Sequence, residues 1–195
     1  MPQDLSILIE FVVRALDGGI DILQIREPDL SAREILSVTE AASHIAGSRG
    51  SRVLVNDRVD IAAAASAGVH LTTHSLPADV VRQSLGPDIQ IGASTHSFAE
   101  AIAAERGGAD FVVFGPVFET PSKRRYGEPV GIDALRTVAH GLSIPVLGLG
   151  GINVSNFHCV LDAGAAGVAG ISLFAESGDL AGLVATIKGY QARSL

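Results

Sequence analysis

The sequence predicts an α/β protein, a (β/α)8 barrel read as one domain over residues 1–195. Three observations predict it. Short apolar runs alternate strictly with helical stretches from one end of the chain to the other, which means an α/β sheet. The runs lack polar alternation, as strands buried on both faces do. Each run also ends in glycine or polar residues, as in a barrel whose βα loops build a site at one face. An open sheet would gather such residues at a single switch point.

The elements follow in order. A helix is expected over 4–17, capped by Asp4, with Leu5, Leu8, Val12 and Leu16 near helical spacing and Gly18-Gly19 as the stop. Strand 20–25 delivers Gln24, Arg26 and Glu27. Helix 31–47 opens on Ser31 with Glu34 three residues on, the spacing of a capping box. Strand 52–55 delivers Asn56-Asp57-Arg58 and is followed by an alanine-rich helix near 59–66. Strand 68–71 leads into Thr72-Thr73-His74-Ser75 and a helix near 77–85. Strand 89–93 delivers Ser94-Thr95-His96 before helix 97–107. Strand 111–117 opens a long loop, then helix 131–140 follows. Strand 145–149 delivers Gly150-Gly151 before helix 154–163, and strand 167–171 delivers Ser172 before helix 179–192. That makes eight helices and seven strands, a TIM-type barrel lacking its first strand. A bare seam would leave two unpaired strand edges, so the expectation is a strand upstream of Met1 or a partner that closes the barrel.

Composition sets the class. The chain is 47% apolar and 18% charged, which suits a compact domain with a sizeable core. A formal net charge of -7 argues against nucleic acid or an anionic membrane as the main partner. Cys159 stands alone, so no intrachain disulfide forms and a reducing compartment fits. No apolar run reaches the length of a membrane span and no signal-peptide pattern opens the chain. The expected location is cytoplasmic. The oligomeric state is left open, a homo-oligomer included.

Against the acidic balance, the loop after Phe114 gathers Thr120, Ser122, Lys123, Arg124 and Arg125. An apolar strand emptying into hydroxyls and three cations suits phosphate; the alternative is a solvated basic turn. Gly150-Gly151 and Gly170-Ile171-Ser172 end the last two strands, where barrels often bind phosphate through free backbone N–H groups. Tight βα turns would look the same. Asn56-Asp57 is either a Mg2+ ligand pair or a helix N-cap. Arg26 faces a phosphate bidentately or pairs with Glu27 or another rim acid. His70, within a strand, reads as a core residue, whereas His96 stands within reach of a ligand.

In order along the chain come Gln24-Ile-Arg26-Glu27, Val55-Asn-Asp-Arg58, Gly68-Val-His-Leu71, Ile91-Gly-Ala-Ser-Thr-His96, Phe114-Gly-Pro-Val-Phe-Glu-Thr-Pro-Ser-Lys123 and Leu149-Gly-Gly-Ile152. Together, over about residues 8–175, they resemble thiamine phosphate synthase and its relatives, which include thiazole tautomerases. The resemblance implies a transferase that joins hydroxymethylpyrimidine diphosphate to hydroxyethylthiazole phosphate and releases diphosphate, in thiamine biosynthesis. It implies Mg2+ as cofactor and small-molecule substrates as partners. By the same resemblance, Gln24, Arg26, Asn56, Asp57, Ser94 and Lys123 hold the pyrimidine diphosphate and its metal, with Asp57 as metal ligand. Arg26, Ser94 and Lys123 are the residues implied in catalysis. Thr120 and Ser122 would contact the diphosphate or the thiazole; Gly151 and Ser172 would hold the thiazole phosphate; His96 would also line the substrate.

The chain departs from the family pattern in three places. Pro28 stands where the synthases carry a lysine, Ser75 stands where they carry a second metal-binding carboxylate, and the first strand is not readable. Two alternatives therefore accompany the synthase: a metal-free thiazole tautomerase, an isomerase, and a non-catalytic phosphate-ligand binder. The tautomerase reading has its own departure, since Pro116 stands where those relatives carry a histidine. There His96 would supply the acid–base group.

Overall fold

The computed structural model describes residues 3–120 and 128–190. Seven strands form one sheet in sequence order: β1 (Ile22–Ile25), β2 (Arg52–Asn56), β3 (Gly68–Leu71), β4 (Ile91–Thr95), β5 (Phe111–Phe114), β6 (Val146–Leu149) and β7 (Gly167–Ala169). Every neighbouring pair is parallel. The helices are α1 (Gln3–Asp17), α2 (Ala32–Gly47), α3 (Val59–Ala64), α4 (Ala78–Leu85), α5 (Phe98–Arg106), α6 (Gly131–Gly141), α7 (Phe157–Asp162), α8 (Ser172–Ala175) and α9 (Leu180–Gly189). The sheet curls: Ile22 of β1, Leu54 of β2, Phe111 and Val113 of β5, Leu147 and Leu149 of β6 and Ala169 of β7 meet in one interior cluster. This is a TIM-type architecture, a seven-stranded curled half-barrel.

Two larger clusters lie between the sheet and its helices. One spans α1 to the start of β5, and the other runs from α5 to the turn before β7. Residues such as Leu54, Val69, Ile91, Val112 and Leu135 are fully buried, each stabilising the fold by about 1.5–3 kcal/mol relative to exposure. Inside the sheet, Gly92 has no side chain because a Cβ there would overlap the Phe111 ring, so that phenyl group fills the floor. The barrel interior is thus an apolar plug, and polar groups begin only above it.

Local signals explain the element ends. Ser31 caps α2 through a full capping box with Glu34, and Ser97 caps α5 by accepting from Glu100 N–H. Between α4 and β5 the Arg82 guanidinium donates to the carbonyls of Gly86, Pro87, Ile89 and Gly108 and to the Asp110 carboxylate. Asp110 in turn accepts the Ile91 N–H at 2.6 Å, which starts β4. One cation thus gathers the acceptors of two loops.

β1 and β7 are the two edges, and no strand among the described residues pairs them. Helices cover that seam instead. Ala15 of α1 packs on Leu180 and Val184 of α9, joined by Ile20, Leu23 and Phe174. Gly18 permits this approach, since a Cβ there would lie 2.8 Å from Leu180 Cγ. Arg14 donates to the Ala175 carbonyl at 3.1 Å, and Lys188 donates to the Gly19 carbonyl and to Asp21 at 2.8 and 2.7 Å.

Several expected boundaries move. The helix α1 begins at Gln3, which places Asp4 inside its first turn instead of at the cap. The strand expected over 89–93 lies at Ile91–Thr95, so Ser94 and Thr95 belong to the strand. The ninth helix, α8, was unanticipated; Ser172 opens it. No helix among the described residues is long and apolar enough to cross a membrane.

Candidate active site

Strand periodicity aims alternate side chains inward, and the C-terminal ends of β1–β4 therefore bring Gln24, Asn56, His70 and Ser94 to the barrel mouth. Gln24 Nε2 donates to Asn56 Oδ1 at 3.0 Å, linking β1 to β2. His70 Nε2 and Ser94 Oγ share a 2.8 Å hydrogen bond across β3 and β4. The ring of His70 is 6.4 Å from that of Phe111, so it rests on the apolar plug. Burial lowers its pKa to about 4, and the nearby Arg26 charge adds to the effect. His70 is therefore neutral near pH 7. The sequence reading of His70 as a core residue holds, and from that buried place it also supports Ser94. Nothing in the local pattern signals this, because the contact depends on strand register: His70 pairs with Gly92 of β4, two residues before Ser94.

Asp57 follows β2 with φ of 62°, a left-handed conformation few non-glycine residues adopt. Its N–H donates to the His70 carbonyl at 2.9 Å, which fixes this turn. The residue at the N-cap of α3 is Arg58, and no side chain caps that helix. The N-cap alternative for Asn56-Asp57 is thereby removed. Among the described residues the Asp57 carboxylate makes no hydrogen bond or ion pair, and neither does the Arg26 guanidinium. Arg26 does not pair with Glu27, so that alternative also falls. Arg58, by contrast, is spent on Asp60 through two hydrogen bonds of 2.8 and 2.6 Å. Arg26, Glu27, Asn56, Asp57 and Arg58 line a cavity of about 310 Å³ beside the mouth. Among the described residues it holds one unpaired guanidinium, Arg26, and two unpaired carboxylates, Glu27 and Asp57.

The position of Ser75 is informative. Its Oγ accepts the Thr72 N–H at 2.7 Å and lies 3.0 Å from Thr72 Oγ1. The hydroxyl closes its own turn and is not offered to the mouth. Exposed His74 donates its N–H to Thr72 Oγ1 in that same turn.

On the opposite rim, Gly150 and Gly151 have φ of 99° and 66°. A Cβ on Gly150 would lie 2.6 Å from Pro116 Cα, and one on Gly151 would lie 2.5 Å from the Glu119 carbonyl oxygen. Both positions require glycine. The segment after β5 is laced to them, Val117 N–H donating to Leu149 O and Phe118 N–H to Gly150 O. Asn156 Nδ2 takes up the Gly151 carbonyl at 3.0 Å. The N–H groups of Gly150, Gly151, Ile171 and Ser172 donate to no acceptor among the described residues. These two loops present donors without partners, the arrangement an anion needs.

His96 is exposed at the same rim. Its N–H donates to Glu100 at 2.6 Å and its Nδ1 donates to the Gly115 carbonyl, while Nε2 makes no hydrogen bond among the described residues. Thr120 is half-buried at the end of the described segment. Ser122 and Lys123, like Arg124, Arg125 and Tyr126, lie outside the described residues. The site thus brings together Gln24, Arg26, Asn56, Asp57 and Ser94 on one side, and Gly151 and Ser172 on the other, with His96 between.

A sequence profile described as Thiamine monophosphate synthase matches residues 2–174. A protein of Geobacter sulfurreducens is 51% identical over 166 residues, 85% of this chain and 78% of its own length. Thiamine-phosphate synthase of Roseiflexus castenholzii is 43% identical over 85% of this chain and 73% of that protein. Among solved structures, thiamine phosphate pyrophosphorylase from Pyrococcus furiosus superposes with a TM-score of 0.83 at 32% identity, covering 92% of this chain and 87% of that one. 3-Hexulose-6-phosphate synthase, at 19% identity and a TM-score of 0.64, shares the fold alone. By profile, by identity and by superposition, the chain belongs to the thiamine monophosphate synthase family.

Proposed function

We propose that the chain is a thiamine phosphate synthase, coupling hydroxymethylpyrimidine diphosphate to hydroxyethylthiazole phosphate with release of diphosphate. The observation that carries this is the cavity where an unpaired Arg26 guanidinium and an unpaired Asp57 carboxylate sit beside the Gln24–Asn56 and His70–Ser94 pairs. In this reaction the bond from the pyrimidine methylene to the diphosphate oxygen breaks, its electron pair leaving with the diphosphate. The thiazole nitrogen supplies the lone pair for the new C–N bond. No proton has to move, so the protein's task is to orient two substrates and to neutralise the leaving group.

Arg26 serves the second task, its guanidinium matching two phosphate oxygens. Gln24, Asn56 and Ser94 serve the first by hydrogen-bonding the pyrimidine edge, held still by the partners just described. The unpaired N–H groups of Gly150, Gly151, Ile171 and Ser172 receive the thiazole phosphate. Thr120, Ser122 and Lys123 join from the loop after β5. Mg2+ fits the donor chemistry in one form: Asp57 offers a carboxylate oxygen, and diphosphate oxygens complete the hard shell that this ion prefers. When bound, the ion supplies charge neutralisation on the departing diphosphate.

The test is formation of thiamine phosphate and release of diphosphate from the two substrates with Mg2+ present, then with chelator. Mg2+-dependent release that requires the thiazole partner supports the proposal; no release under either condition removes it. A second reading, thiazole tautomerase, is favoured by His96. Its Nδ1–H is committed to the Gly115 carbonyl, so Nε2 is available as a base one residue from the Pro116 position. Metal-independent isomerisation abolished by His96→Ala would select that reading.

A further inference from the structure

We propose that His70 fixes the polarity of Ser94 toward the substrate. Its Nε2–H donates to the serine oxygen, and the serine O–H is left to meet an acceptor nitrogen of the pyrimidine. The inference rests on the synthase reading for its substrate. It makes His70 a positioning residue, acting from beneath the site through a side chain that meets the ligand. Asn56, His70 and Gly92 pair across β2, β3 and β4, so their side-chain positions share the inner face. The Phe111 ring fills the space over Gly92. The imidazole, 6.4 Å from that ring, is joined instead to Ser94, two residues further along β4.

The direction of this 2.8 Å bond follows from where a proton can be left without a partner. A neutral imidazole carries one N–H and one lone pair. Were the proton on Nδ1, Nε2 would accept from Ser94, and the Nδ1–H would have no acceptor among the described residues. His70 is only 7% exposed, so that donor would be shut away from water. An orphaned buried N–H is rarer and costlier than an unused acceptor. With the proton on Nε2, the ring donates to Ser94 Oγ and keeps a bare lone pair at Nδ1. The unpartnered proton then belongs to Ser94, a half-buried residue at the mouth whose hydroxyl has no other partner among the described residues. There it is open to water in the free protein and to a lone pair on the substrate. Pyrimidine ring nitrogens offer such lone pairs.

Two measurements on the full chain test this. Long-range proton–nitrogen correlation NMR near neutral pH reads the tautomer of each histidine, the His70 signals being those lost in His70→Gln. Protonated Nε2 with bare Nδ1 is expected in the free protein; protonated Nδ1 would overturn the proposal. Steady-state coupling of the two substrates reads the role. His70→Asn, whose shorter amide stops short of Ser94, should raise KM for the pyrimidine diphosphate roughly three- to tenfold, the worth of one hydrogen bond. KM for the thiazole phosphate should not move. His70→Gln, whose amide N–H reaches the place of Nε2, should restore KM to within about twofold of wild type. In a Ser94→Ala background, His70→Asn should change kcat/KM by less than about twofold, since the group it acts through is gone. A purely structural His70 would lower the active fraction, and so kcat, with both KM values unmoved and the same loss in either background. That result would overturn the proposal, as would His70→Gln behaving like His70→Asn. Absence of coupling by wild type would remove the synthase reading and the substrate half of this proposal, while the spectrum would still decide the polarity of Ser94.

Discussion

Acidification should reveal His70 as a buried neutral group whose protonation opposes folding. Its ordinary pKa of 6.5 falls to about 4 in the fold, chiefly because burial disfavours the charged ring and secondly because Arg26 lies near. A depressed histidine pKa means that the unfolded chain binds a proton first. Between pH 6.5 and about 4, unfolding therefore takes up a proton, and stability falls as pH falls. Above pH 6.5 the stability is fully present. The gap between 6.5 and about 4, at about 1.4 kcal/mol for each pH unit, amounts to about 3 kcal/mol. Carboxylates with lowered pKa, such as Glu34 and Asp60, also lose stabilisation in acid, so wild type alone does not isolate the effect. Urea unfolding of wild type and His70→Asn at pH 7.5, 5.5 and 4 does. The stability of wild type relative to the variant should shrink by about 3 kcal/mol between the highest and lowest pH. A difference that stays flat to within about 0.5 kcal/mol, or that grows in acid, would refute the account of a desolvated neutral ring.

Other perturbations have equally definite outcomes. Arg82→Ala leaves four carbonyls and the Asp110 carboxylate without their shared donor and should cost roughly 3 kcal/mol, read by thermal melting as a fall of about 6–12 °C. Gly92→Ala drives a methyl group into the Phe111 ring and should destabilise by about 1–3 kcal/mol; denaturant titration checks it, and paired truncation of Phe111 to leucine should recover part of the loss. Arg26→Ala should lower kcat of the synthase reaction by roughly 10²–10³-fold while far-ultraviolet circular dichroism stays unchanged, since Arg26 has no structural partner among the described residues.

How much was legible follows from where the information sits. Alternation of apolar runs with helical stretches carries the architecture, because a strand buried on both faces leaves a local mark. The capping box of Ser31 and Glu34 is local too, and α2 begins where it says. Ser94 was expected as a site residue and placed beyond its strand, since hydroxyl residues read as loop, whereas it lies within β4. In the fold Ser94 faces inward to His70 while Thr95 is buried on the other face. The competition at Asn56-Asp57 between metal ligand and helix cap could not be resolved from spacing, because both use short polar side chains. The place of Arg58 at the cap of α3 removes the cap reading. His70 was legible as a core residue, but its bond to Ser94 was not, because that contact depends on the register of the neighbouring strand. The extra turn at Ser172 is too short to carry a periodic signal.

The seam between the edge strands has a consequence for how the chain acquires its shape during synthesis. Arg14 meets Ala175, and Lys188 meets Gly19 and Asp21, across nearly the whole length of the polypeptide. The buried residues of the core around β1 to β4 run from Leu5 to Ala109, so most of that core can consolidate while the later segment is still being made. The groove above β1 stays uncovered throughout that interval. Only when Leu180 and Val184 emerge can the last helix reach back to Ala15 and shield it. A ribosome releasing the chain from its amino end therefore delivers the protecting piece long after the surface it covers. A nascent chain halted before residue 180 exposes the apolar surface of Ala15, Ile20 and Leu23, and that is the stage at which a chaperone would have something to hold.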